Sequence, residues 1–367
     1  MDQVMEPLHT QDLRAVDKPW LRRFTKFTAA MTLFLIFMGG LVKSHEAGLS
    51  VPDWPTSYGH NMFSFPPSMW QGGVFYEHTH RLVASFVGFL ILLLVIWIAQ
   101  VERRVWVKVA AAFALLAVVA QGVLGGLTVL YMLPAPISVA HGVLAQSFLI
   151  LTVFLAYSQS KERQQRVSAN EAPARAVGRW AVVLTAVIWV QLVLGAFMRH
   201  TESGLAIPDF PTTAGQWIPS FNAATLQWVN EWRLNHAFET GAHLPDVTMG
   251  QVLIHFAHRA WALVAAIGVA ILLVQARRTS QLSPAVRRSV YGIVALTVVQ
   301  VSLGVLTVWT AKGPMITSFH VFTGAGLLAL SALCAFQALP LTLKEKSTAT
   351  QSARSSVVDA TPAGARG

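Results

Sequence analysis

Long apolar stretches alternate with shorter polar ones along most of this 367-residue chain. Eight of the apolar stretches approach the length of about 20 residues that a helix needs to cross the hydrocarbon core of a bilayer. In chain order they lie at about 24–43, 82–100, 106–130, 137–157, 180–199, 256–274, 289–310 and 317–338. The pattern predicts an all-α integral membrane protein with eight transmembrane helices.

Composition and charge distribution agree with a membrane protein. Hydrophobic residues make up 54% of the chain and charged residues only 12%, about half the charged fraction of an average soluble domain. Alternate polar segments hold 21 of the 27 lysines and arginines, which produce the net charge of +10. Because positively charged loops stay in the cytoplasm, this asymmetry predicts cytoplasmic termini and places the long loops 44–77 and 200–252 outside. The charge therefore reflects topology, and no nucleic acid is expected as a partner.

The two halves of the chain repeat one another. Residues 47–56 (AGLSVPDWPT) and 203–212 (SGLAIPDFPT) are identical at six of ten positions. Four crossings return the chain to the same side of the membrane, so the repeat is parallel and predicts two pseudo-symmetric four-helix bundles. A short amphipathic helix is also expected at 223–238. The expected domains are a cytoplasmic segment 1–23, an N-terminal bundle 24–157, a cytoplasmic linker 158–179, a C-terminal bundle 180–338 and a disordered cytoplasmic tail 339–367.

Four histidines occupy matching places in the two halves. His80 corresponds to His258 at an offset of 178 residues, and His141 corresponds to His320 at an offset of 179. Each lies near the outer start of an apolar segment, so the two histidines of one half are expected at similar depth. Facing imidazoles can hold a six-coordinate haem iron, whereas zinc usually takes three or four protein ligands. The pairing favours two haem sites over the alternative of four core histidines bonded to neighbours.

The polar neighbours of these histidines differ between the halves. Arg81 and Arg259 follow their histidines directly, and each could pair with a haem propionate or simply reach the membrane interface. Glu77 shares a helical face with His80, three residues later, whereas His255 stands at the matching position of the second half. A carboxylate at this depth is costly unless it is paired or used. Glu77 is therefore interpreted either as a proton acceptor beside a reacting haem or as an ion-pair partner of Arg81.

Weaker expectations concern the surroundings. His78 points away from the face that carries Glu77, so it is expected at the surface or in a loop. Asp53 and Asp209 lie in Pro-Asp-aromatic-Pro segments and are expected to form turns. Two polar residues deep in apolar segments are expected to join helices, namely Gln121 and Gln300. Glycines nearby leave room either for a flat macrocycle or for close helix packing, namely Gly125, Gly126 and Gly304.

In their order along a duplicated eight-helix frame, these motifs resemble the haem A synthase family (CtaA-type). The resemblance spans roughly residues 20–340 and rests on Glu77-x-x-His80-Arg81, His141 in SVAHG, His258-Arg259, His320 in SFHVFTG, and the loop motifs GLSVPDWP and GLAIPDFP. It implies oxidation of the C8 methyl group of haem O to a formyl group, by successive hydroxylations and loss of water from a geminal diol. Some members carry a cysteine pair in the outer loops, whereas this chain has only Cys334. No thiol-exchange step is therefore expected.

The resemblance also implies roles and partners. Glu77 would be the catalytic carboxylate, and His80 and His141 would ligate the haem O substrate. His258 and His320 would ligate a bound haem b in the C-terminal bundle. The implied location is the bacterial cytoplasmic (inner) membrane. The implied partners are haem O, haem A, membrane lipid, haem O synthase and cytochrome oxidase assembly factors, with the electron acceptor unidentified and a homo-oligomer left open.

Two other functions remain open. A di-haem b-type transmembrane electron carrier or quinol oxidoreductase would involve no bond chemistry. It predicts haems near opposite membrane faces, whereas all four histidines lie toward one face. A haem carrier that passes its cofactor to an oxidase would not need Glu77. Haem A synthase is therefore the preferred interpretation.

Overall fold

The computed structural model describes residues 18–168, 174–235 and 245–339. The expected N-terminal segment and C-terminal tail lie mostly outside these ranges. Within them the chain forms ten α-helices. In chain order these are α1 Pro19–Ser44, α2 Gly73–Val101, α3 Val105–Leu130, α4 Ala135–Ser158, α5 Lys161–Ser168, α6 Arg175–His200, α7 Ala223–Asn235, α8 Met249–Arg278, α9 Pro284–Trp309 and α10 Pro314–Ala338.

Eight of the described helices are long and apolar enough to cross a membrane, which confirms the predicted all-α membrane fold. The two shorter helices, α5 and α7, lie between spans. Helix α7 confirms the amphipathic helix expected at 223–238 as far as Asn235. Helix α5 lies in the expected linker and was not predicted, because its sequence, KERQQRVS, has no apolar face long enough to signal a helix.

Two helix starts were predicted too late. Helix α2 begins at Gly73 rather than near residue 82, and helix α8 begins at Met249 rather than near residue 256. Apolar periodicity stops where polar side chains begin, but the helix continues there because a folded loop satisfies those side chains. The early start of α8 is also fixed by a capping box, in which Thr248 and Gln251 bond each other's backbone N–H groups.

The spans pack as two rings of four. Helices α1, α2, α3 and α4 contact one another in that order and close back on α1. Helices α6, α8, α9 and α10 repeat the arrangement. In each ring the two helices that carry the candidate histidines therefore stand diagonally opposite. The rings meet where α1 and α4 pack against α10 and where α4 packs against α6.

The apolar core lies at one end of each ring. In the first ring it is built around Ile91, Leu94 and Ile98 of α2. In the second it includes Leu184 of α6 and Leu272 of α8. These residues are remote from the end that carries the two long loops, 45–72 and 201–248, which we call the loop end. Large apolar side chains thus fill the far half of each ring and leave the loop half to polar residues.

The two long loops fold in the same way around an aspartate. The carboxylate of Asp53 accepts hydrogen bonds from Thr56 Oγ1 and from the backbone N–H groups of Tyr58 and Gly59. Burial raises the pKa of Asp53, but these hydrogen bonds, led by that of Gly59, hold it below its ordinary value. Asp209 has the same three partners at matching positions. Both aspartates therefore form turns, as predicted.

Helix α7 covers the second loop. Val229 is fully buried against Ala206 and Ile207. Arg233, only 4% exposed, donates hydrogen bonds to the carbonyl oxygens of Leu205 at 2.6 Å and Pro245 at 2.8 Å. These bonds tie α7 to the segments before and after it, so α7 closes the loop end of the second ring.

Candidate functional site

The four predicted histidines lie in the loop half of the rings. Each occurs within the first three turns of its helix, on α2, α4, α8 or α10. His80 and His141 stand on α2 and α4, which are diagonally opposite in the first ring, and His258 and His320 stand on α8 and α10, which are diagonally opposite in the second. The structure thus places each histidine pair that the internal repeat predicted within one ring, toward its loop end.

A glycine of the preceding span makes room for each imidazole. The four glycines lie on α1, α3, α6 and α9, and any side chain there would press on the imidazole of the histidine. The distances from an added Cβ to the histidine Cε1 are 3.2 Å for Gly39–His80, 3.3 Å for Gly125–His141, 3.1 Å for Gly195–His258 and 3.1 Å for Gly304–His320. Each of these glycines is thus closely packed against a histidine of the next span.

Three of the four histidines also contact a glutamine one helical turn before that glycine. Nε2 of Gln121 donates to the backbone carbonyl oxygen of His141 at 3.0 Å, and Nε2 of Gln191 donates to that of His258 at 3.0 Å. Nε2 of Gln300 lies 3.4 Å from Nε2 of His320. Sequence reasoning missed Gln191, Gly195 and Gly39, although the spacing Gln-x-x-x-Gly recurs in three spans and could have identified the first two.

The donor set fits haem better than a bare metal ion. Nδ1 of His80, His141 and His320 is buried and lacks a hydrogen-bond partner among the described residues. Each of these three histidines as a whole is only partly buried. No group of three or more histidine, cysteine, aspartate or glutamate side chains suited to a metal ion occurs in the described ranges. A zinc ion would need such a group. A haem brings four nitrogen ligands of its own and requires only two axial imidazoles.

Glu77 and Arg81 hold the first loop onto α2. Oε2 of Glu77 accepts the backbone N–H of Val51 at 2.8 Å, and Oε1 accepts Nη2 of Arg81 at 2.6 Å. The remaining Nη bonds of Arg81 go to carbonyl oxygens of Val51, Asp53 and Thr56. The ion pair considered from the sequence is therefore present, and Glu77 is buried with 3% of its surface exposed.

His255 and Arg259 hold the second loop in the same way, but without a carboxylate. Arg259 donates to carbonyl oxygens of Ile207, Asp209 and Thr212. Nδ1 of His255 accepts the N–H of Ile207 at 3.0 Å, and its Nε2 lies 3.2 Å from Nε of Arg259. A neutral imidazole has one acceptor nitrogen, so His255 satisfies one donor, whereas Glu77 satisfies two and also balances the charge of its arginine.

The prediction that His78 lies at the surface or in a loop is wrong. His78 is fully buried on α2. Its Nδ1 lies 3.2 Å from Ser57 Oγ, and its ring packs against Phe65 and Trp70 at centroid distances of 4.6 and 4.9 Å. The loop folds back over the helix face that points away from the bundle, and helical periodicity alone cannot reveal such a cover.

The two histidine sites lie side by side. Gly39 of α1 packs against His80, and its neighbour Gly40 faces α10, where an added Cβ would lie 3.6 Å from Cα of Ser318. Ser318 precedes His320 by two residues. The sites are thus neighbours across the contact between α1 and α10, both at the loop end. This arrangement disagrees with the haems near opposite membrane faces that a transmembrane electron carrier requires.

Charged residues bridge the rings next to both sites. Nη2 of Arg199, on α6, donates to the carbonyl oxygen of Gly40 at 3.2 Å and to Ser44 Oγ at 3.1 Å. Glu202, just after α6, forms an ion pair with Lys43 of α1. These contacts join residues from different halves of the chain, so the sequence did not predict them. They fix the relative position of α1 and α6, the helices that support His80 and His258.

The packing of histidine on glycine yields a test with an internal control. Replacing Gly125 by valine would push the ring of His141 out of place, and such overpacking typically costs about 1–3 kcal/mol. We expect a lower thermal unfolding temperature and less bound haem in detergent-solubilised protein. Gly122 lies on the same helix and an added Cβ there meets no atom within 4 Å, so Gly122→Val should leave both quantities unchanged. Equal losses in the two variants would contradict this packing role.

The fold and the sites define a class: a multi-span membrane protein with two neighbouring histidine-pair sites suited to haem. A family model described as cytochrome oxidase assembly protein, COX15-CtaA, matches residues 22–332. The chain therefore belongs to the COX15-CtaA family, which confirms the resemblance seen in its motifs.

Individual relatives agree with the family. The chain is 29% identical over 303 residues to a heme A synthase of Shewanella oneidensis, covering 79% of this chain and 87% of that protein. It is 26% identical over 348 residues to a heme A synthase of Sphingopyxis alaskensis, covering 85% and 90%. It is 22% identical over 339 residues to a heme A synthase of Rhizorhabdus wittichii, covering 84% and 91%.

Proposed function

We propose that this protein is a haem A synthase, a membrane oxidoreductase that converts the C8 methyl group of haem O to a formyl group. The observation that carries this proposal is the buried carboxylate of Glu77 beside one of the two histidine pairs, where the other pair has His255. His255 anchors its loop without a carboxylate, so anchoring alone does not require one, and a buried carboxylate beside a histidine pair is a candidate for proton transfer. Homologues named heme A synthase support the same activity.

In this proposal the two histidine pairs serve different haems. His80 and His141 hold the substrate haem O, and His258 and His320 hold a resident haem b, which supplies one-electron redox chemistry when bound. Glu77 lies one helical turn from His80 and accepts one of the two protons released as a C–H bond of the methyl group is replaced by C–O. The oxygen atom comes from water, and the two electrons pass to the electron acceptor that the reaction requires. Two such hydroxylations give a geminal diol, which loses water to leave the formyl group. The contact of the two sites across α1 and α10 provides a short path for electrons.

The arginines close each site at the loop end. Arg81 and Arg259 are bonded to loop carbonyl oxygens, so their first role is to hold the loops over the haems. The Nη atoms of Arg81 carry all of its hydrogen bonds within the described residues. Its Nε–H remains to pair with a propionate, as proposed from the sequence. In Arg259 the Nε–H faces His255 instead.

The proposal also covers location and partners. The protein spans the bacterial cytoplasmic membrane, with the termini in the cytoplasm and the loop end outside. Haem O and haem A are its substrate and product. Haem O synthase is the expected supplier of substrate, assembly factors of cytochrome oxidase are expected to receive the product, and an electron acceptor is required.

Chemical analysis of bound haems tests the activity. The protein would be expressed in cells that make haem O and lack another haem A synthase, and the extracted haems identified by mass. Haem A or its hydroxylated precursor is expected beside haem b. Recovery of haem O and haem b alone, from protein with both sites filled, would contradict the proposed activity and favour a carrier.

A further inference from the structure

The surroundings of His80 differ from those of the other three histidines. His141, His258 and His320 each contact a glutamine that precedes the supporting glycine by four residues. The matching position before Gly39 is Leu35. Next to His80, the contact between α1 and α2 therefore lacks the side-chain amide that contacts each of the other three histidines.

The glutamines act on the part of the helix that presents the imidazole. Gln121 and Gln191 bond the backbone carbonyl oxygen of the histidine itself, and Gln191 also lies within 3.3 Å of both ring nitrogens of His258. A part-buried hydrogen bond of this kind opposes withdrawal of the helix turn that carries the histidine, because breaking it leaves an unpaired polar group. Leu35 imposes no such restraint on His80.

Three exchanges set the surroundings of His80 apart from those of His258. Leu35 stands at the position of Gln191, Glu77 at that of His255, and His78 at that of Phe256. His141 and His320, in contrast, both have a glutamine and a glycine at equivalent positions. Among the four histidines, the loss of the supporting glutamine is thus confined to His80.

Resting on the function proposed above, we propose that His80 is the exchangeable ligand of the haem iron in the N-terminal ring. The bond between iron and His80 breaks while the bond to His141 stays, and a small exogenous ligand takes the vacated position. No electron is transferred in this exchange. Glu77, on the same face of α2 as His80, then lies on the open side of the haem, where a proton acceptor is needed.

Carbon monoxide titration of the reduced protein, with both sites loaded, tests this inference. In wild-type protein one of two haems is expected to bind carbon monoxide, seen as a Soret shift of half the total intensity. Leu35→Gln supplies the missing amide and should weaken carbon monoxide binding at least tenfold. Leu35→Met, of similar volume but without an amide, should bind like wild type. Identical titrations of all three proteins would overturn the inference.

Three further variants keep the test decisive if Leu35→Gln fails to load haem. Gln191→Leu removes the amide from the second site and should make its haem reactive to carbon monoxide as well. His80→Gly should retain haem and bind added imidazole, whereas His141→Gly should lose it. The opposite outcome, with His141 dispensable, would also defeat the inference. Failure of the proposed function is distinguishable, because wild-type protein would then yield haem O and haem b without haem A, whatever its carbon monoxide titration shows.

Discussion

Replacing Glu77 by glutamine is expected to abolish haem A formation while both haems remain bound. The amide oxygen can still accept the N–H of Val51, and Arg81 keeps its three loop carbonyl oxygens, so the loop stays in place. The amide cannot accept a proton, and loss of such a group typically lowers a rate by about 10²–10⁴-fold. Haem A formed per protein would be measured by mass after extraction, with haem content determined on the same sample.

Glu102 supplies a matched control for this substitution. It is another buried carboxylate, 6% exposed, which follows the last residue of α2 at the far end and pairs with Arg104. Glu102→Gln removes a charge there without touching the loop end, so haem A formation per folded protein should be unchanged. If Glu77→Gln and Glu77→Ala both convert haem O normally with intact haem spectra, Glu77 only anchors the loop and the proton-acceptor role is wrong.

The parts of the site that the sequence predicted all depend on the repeat. His80 and His141 were paired because each has a counterpart at a nearly constant offset, and a repeat preserves depth in the membrane as well as order. The spans were predictable because their apolar length is set by the bilayer. None of this required knowledge of which helices touch.

The missed parts depend on contacts between segments distant in sequence. Gly39 and Gly195 support His80 and His258 from α1 and α6, which carry no candidate ligand and so attracted no attention. The burial of His78 requires the loop residues Phe65 and Trp70 to fold back over α2. Such contacts follow from packing, which local periodicity does not encode.

Glu77 was predictable in part from the sequence and in part required the structure. Its position beside His80 was visible in the sequence, and so was the choice between an ion pair and a proton acceptor. The structure contains the ion pair with Arg81, and a carboxylate in an ion pair can also accept a proton, so the two roles are compatible. His255 makes the same contact with its loop but can accept fewer hydrogen bonds than Glu77. This comparison favours a function of Glu77 beyond anchoring the loop.

Removing one ligand from the second ring is expected to stop the reaction without removing the substrate. His258→Ala and His320→Ala should each lower haem content from about two to about one per chain, because both imidazoles are proposed to be permanent axial ligands of haem b, unlike the exchangeable His80. The first ring keeps His80, His141 and Glu77, so haem O still binds. Haem A should nevertheless fall below detection, since electrons leaving the first site have no neighbouring haem to accept them.

The same substitutions in the first ring give the contrasting result. His141→Ala should lose haem O and keep haem b, so the two sets of variants differ in which haem remains rather than in activity, which is absent in both. Haem extraction with identification by mass separates these outcomes, and the unfolding temperature reports whether the rings stay intact. Retention of haem b after loss of His258 would show that the second pair does not ligate it. Because the rings share the α1–α10 contact, loss of both haems from any single variant would instead indicate that the two sites load cooperatively.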